Sequence, residues 1–260
     1  MKITTPLVIG HRGAAAILPE NTLPSMRFAF EKFHSDMIEF DVHLSKDGIP
    51  VVIHDARLNR TTSGNGFVSD FSLEQLKTLD AGYYFDPAKN DSFPCRGKDY
   101  RIPALEELFT AFPDKLFSVE IKPKSKPLTR KVMEMISRFD AVSRSVVGSK
   151  HHAVAQELMQ NYPDTARFAS RSDVCRLLYD FRVKKKSRND THLVVSIPLH
   201  SWGFELDRKD WIDFLHDHGI RVFYWTINDE KTAADLALKG ADGIISDDPG
   251  TLNRALGRLF

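Results

Sequence analysis

Eight short apolar segments, separated by stretches with helical periodicity, constrain the fold more strongly than any other feature of this chain. Short apolar runs of this kind are typical of the buried strands of a parallel sheet. They are Leu7–Gly10, Met37–Val42, Leu116–Ile121, Ser145–Gly148, Ala166–Ala169, Leu193–Ile197, Arg221–Thr226 and Gly243–Ile245. Because each pair of parallel strands needs a crossover connection, the alternation predicts a parallel sheet whose helices lie outside it.

Eight alternating units favour an α/β fold, a (β/α)8 TIM-type barrel, since closure leaves no exposed sheet edge. An open doubly wound sheet is the alternative that the pattern leaves. Strand starts lie about 20 to 30 residues apart, except that Met37 and Leu116 are separated by 79 residues. The residues in excess of the usual spacing predict a small inserted subdomain after strand 2, at approximately residues 43–103. The whole chain, residues 1–260, is predicted to form a single domain.

The charge balance argues against partners that are recognised through a global electrostatic field. The 36 Lys and Arg residues are offset by 35 Asp and Glu residues, so we expect no nucleic acid partner. No apolar run reaches the roughly 18 to 20 residues of a membrane span, so we expect no integral membrane contact. Cys95 and Cys175 form no CxxC pair and the first residues do not resemble a signal peptide, which predicts a cytoplasmic location.

Carboxylates fall at unusual positions within two of the predicted strands. The period of two places Glu39 and Asp41 on one face of the second strand, and Glu120 shares a face with Lys122 at the third. Each buried carboxylate costs several kcal/mol unless a cation or hydrogen bonds offset it. Three of them suit a hard cation, Mg²⁺ or Ca²⁺, better than zinc. The alternative is a structural ion network in which Arg12 and Lys122 neutralise the carboxylates.

Two histidines are candidates for catalysis, one of them at the carboxyl end of a predicted strand, where a barrel places its active-site loops. His11 follows the first strand, and His54 follows Val51-Val52-Ile53 in the predicted insertion. Two histidines can divide the general acid and base roles that cleavage of a phosphodiester requires at neutral pH. Arg12 and Lys122 would then neutralise the phosphoryl oxygens. Trp225 ends the seventh strand, which makes it a candidate for the wall of a substrate pocket, although a buried aromatic more often packs in the core.

Several short motifs also occur in a fixed order along the chain. They are His11-Arg12-Gly13, Pro19-Glu20-Asn21-Thr22, Glu39-Phe40-Asp41-Val42, Pro50-Val51-Val52-Ile53-His54-Asp55, Glu120-Ile121-Lys122, Trp225-Thr226-Ile227-Asn228 and Ser246-Asp247-Asp248-Pro249. Each motif is weak alone, but together and in this order they resemble the glycerophosphodiester phosphodiesterase family over nearly the whole chain. The match is weaker after the fourth strand, in loops that would face the alcohol part of the substrate.

The resemblance implies a role for each of seven residues. It implies Mg²⁺ or Ca²⁺ held by Glu39, Asp41 and Glu120, an acid/base pair of His11 and His54, and phosphate binding by Arg12 and Lys122. It also implies hydrolysis of small glycerophosphodiesters, such as glycerophosphocholine and glycerophosphoethanolamine, to glycerol 3-phosphate and an alcohol. A lysophospholipase D-type or other lipid phosphodiesterase on the same barrel is one alternative, and a noncatalytic phosphodiester-binding barrel is another. The oligomeric state is left open.

Overall fold

The structure, a computed structural model, describes residues 5–184, 189–201 and 203–258. Its strands are β1 (Leu7–His11), β2 (Met37–Leu44), β3 (Pro50–Val52), β4 (Leu116–Ile121), β5 (Ser145–Gly148), β6 (Ala166–Phe168), β7 (Leu193–Ile197), β8 (His200–Ser201), β9 (Phe204–Glu205), β10 (Arg221–Tyr224) and β11 (Gly243–Ser246). Its helices are α1 (Leu23–Glu31), α2 (Leu73–Thr78), α3 (Leu105–Ala111), α4 (Lys126–Arg138), α5 (His152–Asn161), α6 (Arg171–Arg182), α7 (Lys209–Asp217), α8 (Glu230–Lys239) and α9 (Pro249–Ala255).

Eight of these strands form a closed parallel barrel. The hydrogen-bonded order β1-β2-β4-β5-β6-β7-β10-β11 returns to β1, because β1 pairs with both β2 and β11. The predicted (β/α)8 barrel is therefore confirmed, and the open doubly wound alternative is wrong. The register places His11 opposite Glu39 and Asp41 opposite Glu120, which brings the polar residues of three neighbouring strands to the same end of the barrel.

Side chains at the starts of helices fix how the chain leaves the barrel strands. The Thr22 side chain accepts a hydrogen bond from the backbone N–H of Ser25 at the start of α1. Ser170 forms a capping box with Asp173 at the start of α6, and Asp248 caps α9. These caps satisfy backbone donors that the first helical turn leaves without partners. Helices α6 and α9 begin three residues after the ends of β6 and β11, whereas α1 begins twelve residues after the end of β1.

An apolar layer fills the barrel below the polar residues. Its buried members are Ile9, Met37, Val146, Phe168, Val194, Phe223 and Ile245. Met37 lies on the same face of β2 as Glu39 and Asp41, because alternate side chains of a strand point the same way. The carboxylates therefore lie above a layer that excludes water. Two larger apolar clusters fill the space between the barrel and its surrounding helices.

The segment between β2 and α3 carries the additional structure that the long spacing predicts. It contains β3, which pairs antiparallel with β2, a short 3-10 helix at Val68–Asp70, and α2. It has a buried cluster of its own, formed by Val51, Ile53, Leu58, Val68, Leu76, Ala81 and Ile102. The extra strand fits an insertion after strand 2, while the approximate bounds of 43–103 stay a prediction.

The loop after β7 holds a second small feature, the antiparallel pair of β8 and β9. Across the described part of the chain, no helix combines the length and the apolar character that crossing a membrane requires.

Candidate active site

A cavity of about 480 Å³ lies at the carboxyl ends of the barrel strands. This is the end at which (β/α)8 barrels place their active sites. The cavity is lined by all of the residues that the sequence predicts for the site, namely His11, Arg12, Glu39, Asp41, His54, Glu120, Lys122 and Trp225. Residues from β1, β2, β4, the insertion and the end of β10 thus meet in one place.

Three carboxylates are gathered at the centre of this cavity. Glu39, Asp41 and Glu120 each offer an oxygen atom, and these three atoms lie within 4.8 Å of one another. Glu39 and Asp41 are buried, whereas Glu120 is partly exposed. Their proximity follows from the sheet, because β2 and β4 are adjacent and Asp41 is directly opposite Glu120 in the register.

Lysine and arginine side chains neutralise part of this negative charge. Lys122 Nζ lies 2.9 Å from Asp41 Oδ1 and 2.8 Å from Glu120 Oε2, and Arg12 Nε lies 3.3 Å from Asp41 Oδ2. Burial alone would raise the pKa of Asp41, but Lys122 and Arg12 outweigh burial and lower it. The ion network that the sequence leaves as an alternative to a metal site is therefore present around Asp41 and Glu120.

Glu39 is not neutralised in this way. Within residues 5–184, 189–201 and 203–258, no lysine or arginine side chain forms an ion pair with it. Its nearest polar contacts are the backbone N–H of Arg12 at 3.3 Å and His11 Nε2 at 3.9 Å. Burial and the neighbouring charge of Asp41 raise the pKa of Glu39 to about 8. The cluster thus has one buried carboxylate more than these cations balance, and three oxygen donors match a hard divalent cation.

His11 is held by a carboxylate from the far end of the chain. Its Nδ1 lies 2.6 Å from Asp247 Oδ1, while its Nε2 faces Glu39. Asn228 in turn donates a hydrogen bond from Nδ2 to Asp247 Oδ2 at 2.8 Å. Burial lowers the pKa of His11, but the hydrogen bond to Asp247 and the charge of Glu39 outweigh it, so the net pKa is raised. The imidazole is therefore fixed with Nε2 turned toward the acidic cluster.

His54 is held by a longer chain of charged side chains. Its Nδ1 lies 2.5 Å from Asp55 Oδ1, and Asp55 Oδ2 accepts a hydrogen bond from Arg60 Nε at 2.6 Å. Arg60 also donates two hydrogen bonds to Glu20, at 2.8 and 2.7 Å. Glu20 accepts a further hydrogen bond from Arg12 Nη1 at 2.8 Å. The two sides of the cavity are thereby connected through Glu20.

The sequence prediction did not assign the residues that hold the two histidines. Asp55 directly follows His54, and Asp247 directly follows β11 in Ser246-Asp247-Asp248-Pro249. Their positions after strands were the available signal, because polar residues at that end of a barrel face the site. Asn21 is a further residue to which the prediction gave no role. Its Nδ2 donates a hydrogen bond to Asp41 Oδ2 at 2.9 Å.

Trp225 lies directly after β10 and is 42% exposed. It lines the cavity and does not belong to the buried apolar clusters. Its position therefore agrees with the wall of a pocket, while its contact with a substrate stays a prediction.

The fold and the site together define a (β/α)8 barrel with an acidic, histidine-flanked centre at the carboxyl ends of its strands. Residues 11–251 match the model of the glycerophosphoryl diester phosphodiesterase family. The chain belongs to that family and is an enzyme, a phosphoric diester hydrolase. The interpretation of the chain as a noncatalytic barrel is therefore wrong.

Two curated relatives illustrate the range of the family. The glycerophosphodiester phosphodiesterase of Caldanaerobacter subterraneus is 33% identical over 254 residues, which cover 95% of this chain and 96% of the relative. The human lysophospholipase D GDPD1 is 30% identical over 277 aligned positions, which cover 94% of this chain and 84% of the relative.

Solved structures agree with the fold. The glycerophosphoryl diester phosphodiesterase domain of a protein from Mycobacterium tuberculosis has a TM-score of 0.85, covering 98% of this chain and 100% of that chain at 23% identity. A phosphodiesterase from Oleispira antarctica, in complex with the product sn-glycerol-3-phosphate, has a TM-score of 0.77, covering 97% of each chain at 27% identity.

Proposed function

We propose that this enzyme hydrolyses small glycerophosphodiesters, such as glycerophosphocholine and glycerophosphoethanolamine, to glycerol 3-phosphate and an alcohol. The observation that carries the proposal is the group of three carboxylate oxygens within 4.8 Å of one another, in a cavity that two histidines also line. The product bound to the Oleispira antarctica phosphodiesterase supports the same choice of substrate class.

Glu39, Asp41 and Glu120 would hold a divalent cation, Mg²⁺ or Ca²⁺. Oxygen ligands about 2.4 Å from Ca²⁺ can be separated by up to about 4.8 Å, and the shorter distances around Mg²⁺ require a small contraction. A cation would offset the burial and the charge of Asp41 that raise the pKa of Glu39 to about 8, and would thereby favour its ionised, metal-binding form. When bound, it would supply Lewis acid stabilisation for the charge that develops on the phosphoryl oxygens.

Arg12 and Lys122 would bind the phosphoryl group beside the carboxylates. Arg12 directs Nη1 to Glu20 and Nε toward Asp41, which leaves Nη2 for a substrate oxygen. Lys122 contacts Asp41 and Glu120, and its ammonium group has a third proton to donate. Both side chains are mostly buried, so their charge-assisted hydrogen bonds to phosphate would be weakly screened by solvent.

His11 and His54 would share the proton transfers of the reaction. Each imidazole has its Nδ1 beside a carboxylate, which leaves its Nε2 for transfer to or from the substrate. One histidine would accept a proton from the attacking hydroxyl group, and the other would donate a proton to the oxygen of the leaving alcohol. Trp225 would form part of the wall against which the substrate lies.

Release of glycerol 3-phosphate from glycerophosphocholine tests this proposal. We expect purified enzyme to lose activity in a chelator and to recover it when Mg²⁺ or Ca²⁺ is added in excess. Full activity in the chelator would overturn the metal site, and no product with either metal would overturn the substrate class. A panel with ethanolamine and glycerol in place of choline then defines which alcohols are accepted.

A lysophospholipase D activity is the second candidate. The human relative with that name supports it, as do the apolar side chains Phe168, Val174 and Leu206 in the cavity wall. Comparing kcat/KM for lysophosphatidylcholine and glycerophosphocholine separates the two candidates, because the substrates differ only in the acyl chain.

We also propose that the enzyme acts in the cytoplasm. Both cysteines are free, Cys95 buried and Cys175 exposed, which fits a reducing compartment. Fractionation of cells that express the tagged full-length protein tests this location.

A further inference from the structure

The cavity has a second charged region, which begins at β5, the neighbour of β4, and extends to the part of the barrel mouth opposite β1. Around the barrel, β1 is followed by β2, β4, β5 and β6. Because the barrel has eight strands, β6 lies opposite β1. We call the part of the cavity beyond β5 the distal wall. It includes Lys150, Phe168, Arg171, Val174, Leu206 and Trp225.

Positive charge dominates the distal wall. Lys150 and Arg171 line it, whereas the carboxylates that line the cavity within the described residues are Glu39 and Asp41 on β2 and Glu120 on β4. The two cations follow the next two strands around the barrel, Lys150 in the loop after β5 and Arg171 at the start of α6, after β6.

The two distal cations differ from the other cations of the cavity in having no partner. Arg12 and Lys122 are both paired with carboxylates. In the ranges 5–184, 189–201 and 203–258, neither Lys150 nor Arg171 forms an ion pair or a side-chain hydrogen bond. Both side chains are also exposed to the cavity and its solvent. Their charges are consequently available to a ligand.

The local structure keeps the two cations near each other. His152, at the start of α5, makes a side-chain hydrogen bond with Ser172 Oγ at 2.8 Å. This contact joins the loop that carries Lys150 to the first turn of α6, where Arg171 is the first helical residue. Arg171 adds a positive charge at the positive end of the helix dipole, where the carboxylate of Asp173 is already engaged in capping the helix through Ser170.

We propose that the distal wall binds an anionic group on the alcohol part of the substrate, a carboxylate or a phosphate. The enzyme then prefers glycerophosphodiesters whose alcohol carries its own negative charge. This inference rests on the proposed function, because the diester phosphate must lie at Arg12 and Lys122 for the alcohol to extend toward Lys150 and Arg171. The ammonium group of choline or ethanolamine gains nothing from two cations, so these substrates are the less favoured members of the class.

Glycerophosphoserine and glycerophosphoethanolamine form a matched pair for the test, since they differ only in one carboxylate. We expect the wild-type enzyme to show a kcat/KM ratio of about 2 to 30 in favour of glycerophosphoserine, the range for two partly exposed charge pairs. The double variant Lys150→Gln and Arg171→Gln is expected to bring that ratio to about 1. Charge reversal, with Lys150→Glu and Arg171→Glu, is expected to make ethanolamine the preferred alcohol.

A control for loss of positive charge outside the cavity uses Lys32, an exposed residue just after α1 at the opposite end of the barrel. Lys32→Gln removes one positive charge and should leave the ratio unchanged. Raising the salt concentration should reduce the wild-type ratio, because exposed charges are screened.

A wild-type ratio near 1 would overturn the inference, as would a ratio that both double variants preserve. Absence of hydrolysis with either substrate would instead overturn the proposed function. A wild-type ratio near 1 overturns the inference without any variant, so the inference stays falsifiable even if a variant fails to fold.

Discussion

His11 and His54 reach the cavity from different parts of the chain, yet each has its Nδ1 beside a carboxylate. Asp247 holds His11 at 2.6 Å, and Asp55 holds His54 at 2.5 Å. A carboxylate in this position fixes the orientation of the imidazole and stabilises its protonated form. The geometry of each pair therefore suits a residue that gains and loses a proton during the reaction.

Replacing either histidine should separate catalysis from metal binding. We expect His11→Ala and His54→Ala to lower kcat by about 10² to 10⁴, the usual contribution of a general acid or base. Metal affinity, measured by calorimetric titration, should change little because neither imidazole is a proposed ligand. His192→Ala is the matched control, since His192 is exposed just before β7 at the other end of the barrel. An unchanged kcat in either site variant would remove that histidine from the mechanism.

Local pattern made the carboxylates predictable, whereas the partner of His11 depends on tertiary structure. Glu39 and Asp41 share a face because of the strand period alone. Asp247, by contrast, meets His11 across 236 residues of sequence. Only the closure of the barrel, which pairs β1 with β11, brings these two residues together. Their contact therefore had no local signal.

At the scale of elements, strands were predicted more precisely than loops. The predicted and observed strands begin at the same residues, and their ends differ by at most two. Apolar runs define strands because burial on both faces requires them. The antiparallel pair of β8 and β9 was not predicted, because its four residues, His200, Ser201, Phe204 and Glu205, show no such pattern.

The side chain of Asp242, the residue just before β11, links α7 to β10. His216 Nε2, on α7, lies 2.9 Å from Asp242 Oδ2, which also accepts a hydrogen bond from the backbone N–H of Val222 in β10 at 2.8 Å. The hydrogen bond to Asp242 raises the pKa of His216, with a smaller contribution from Asp213, while burial and Lys209 lower it. The protonated form of His216 therefore stabilises the folded state.

This raised pKa predicts a pH-dependent effect of His216→Gln on stability. A group whose pKa is higher in the folded state contributes its full stabilisation below its ordinary pKa of 6.5, and loses it as pH rises through the folded value. Because the pair is partly exposed, the contribution should be below about 1 kcal/mol. We expect His216→Gln to lower Tm by about 1 to 3 °C at pH 5.5 and to have little effect at pH 9. A difference that grows with pH would contradict the role of the protonated imidazole.

A close approach between β5 and β6 gives a second prediction for an element. A Cβ atom added at Gly148 would lie 2.4 Å from Phe168 Cβ, which is fixed to the backbone of β6. Gly148→Ala should therefore force the two strands apart and cost about 1 to 3 kcal/mol. Thermal unfolding measures this as a Tm lower by about 2 to 12 °C. Gly97→Ala is unsuitable as a control because Gly97 has a positive φ of 75°, so Ser143→Ala, at an exposed residue shortly before β5, is the comparison.

For the whole molecule, the count and spacing of the apolar segments were sufficient to predict the architecture. Eight strands close into a barrel because each parallel pair adds a crossover and closure satisfies both edges. The long stretch of sequence between β2 and β4 indicated an insertion. The 3-10 helix and α2 within that insertion depend on contacts with its own small core, which the sequence pattern did not reveal. The two additional cations of the cavity were not predictable, because neither Lys150, in the loop after β5, nor Arg171, at the start of α6, lies in a distinctive local pattern.

The acidic cluster connects the site to the stability of the whole barrel. Glu39, Asp41 and Glu120 come from two adjacent strands, so a cation bound by all three stabilises the folded state and not the unfolded chain. At a metal concentration 100 times Kd, this stabilisation is about 2.7 kcal/mol.

We expect Mg²⁺ or Ca²⁺ to raise Tm by about 5 to 11 °C over the value in a chelator. Glu39→Ala should abolish most of this shift, whereas Glu134→Gln, an exposed position on α4, should retain it. Equal Tm values with metal and with chelator would show that the carboxylates are satisfied by Arg12 and Lys122 alone, and that the ion network is their complete explanation.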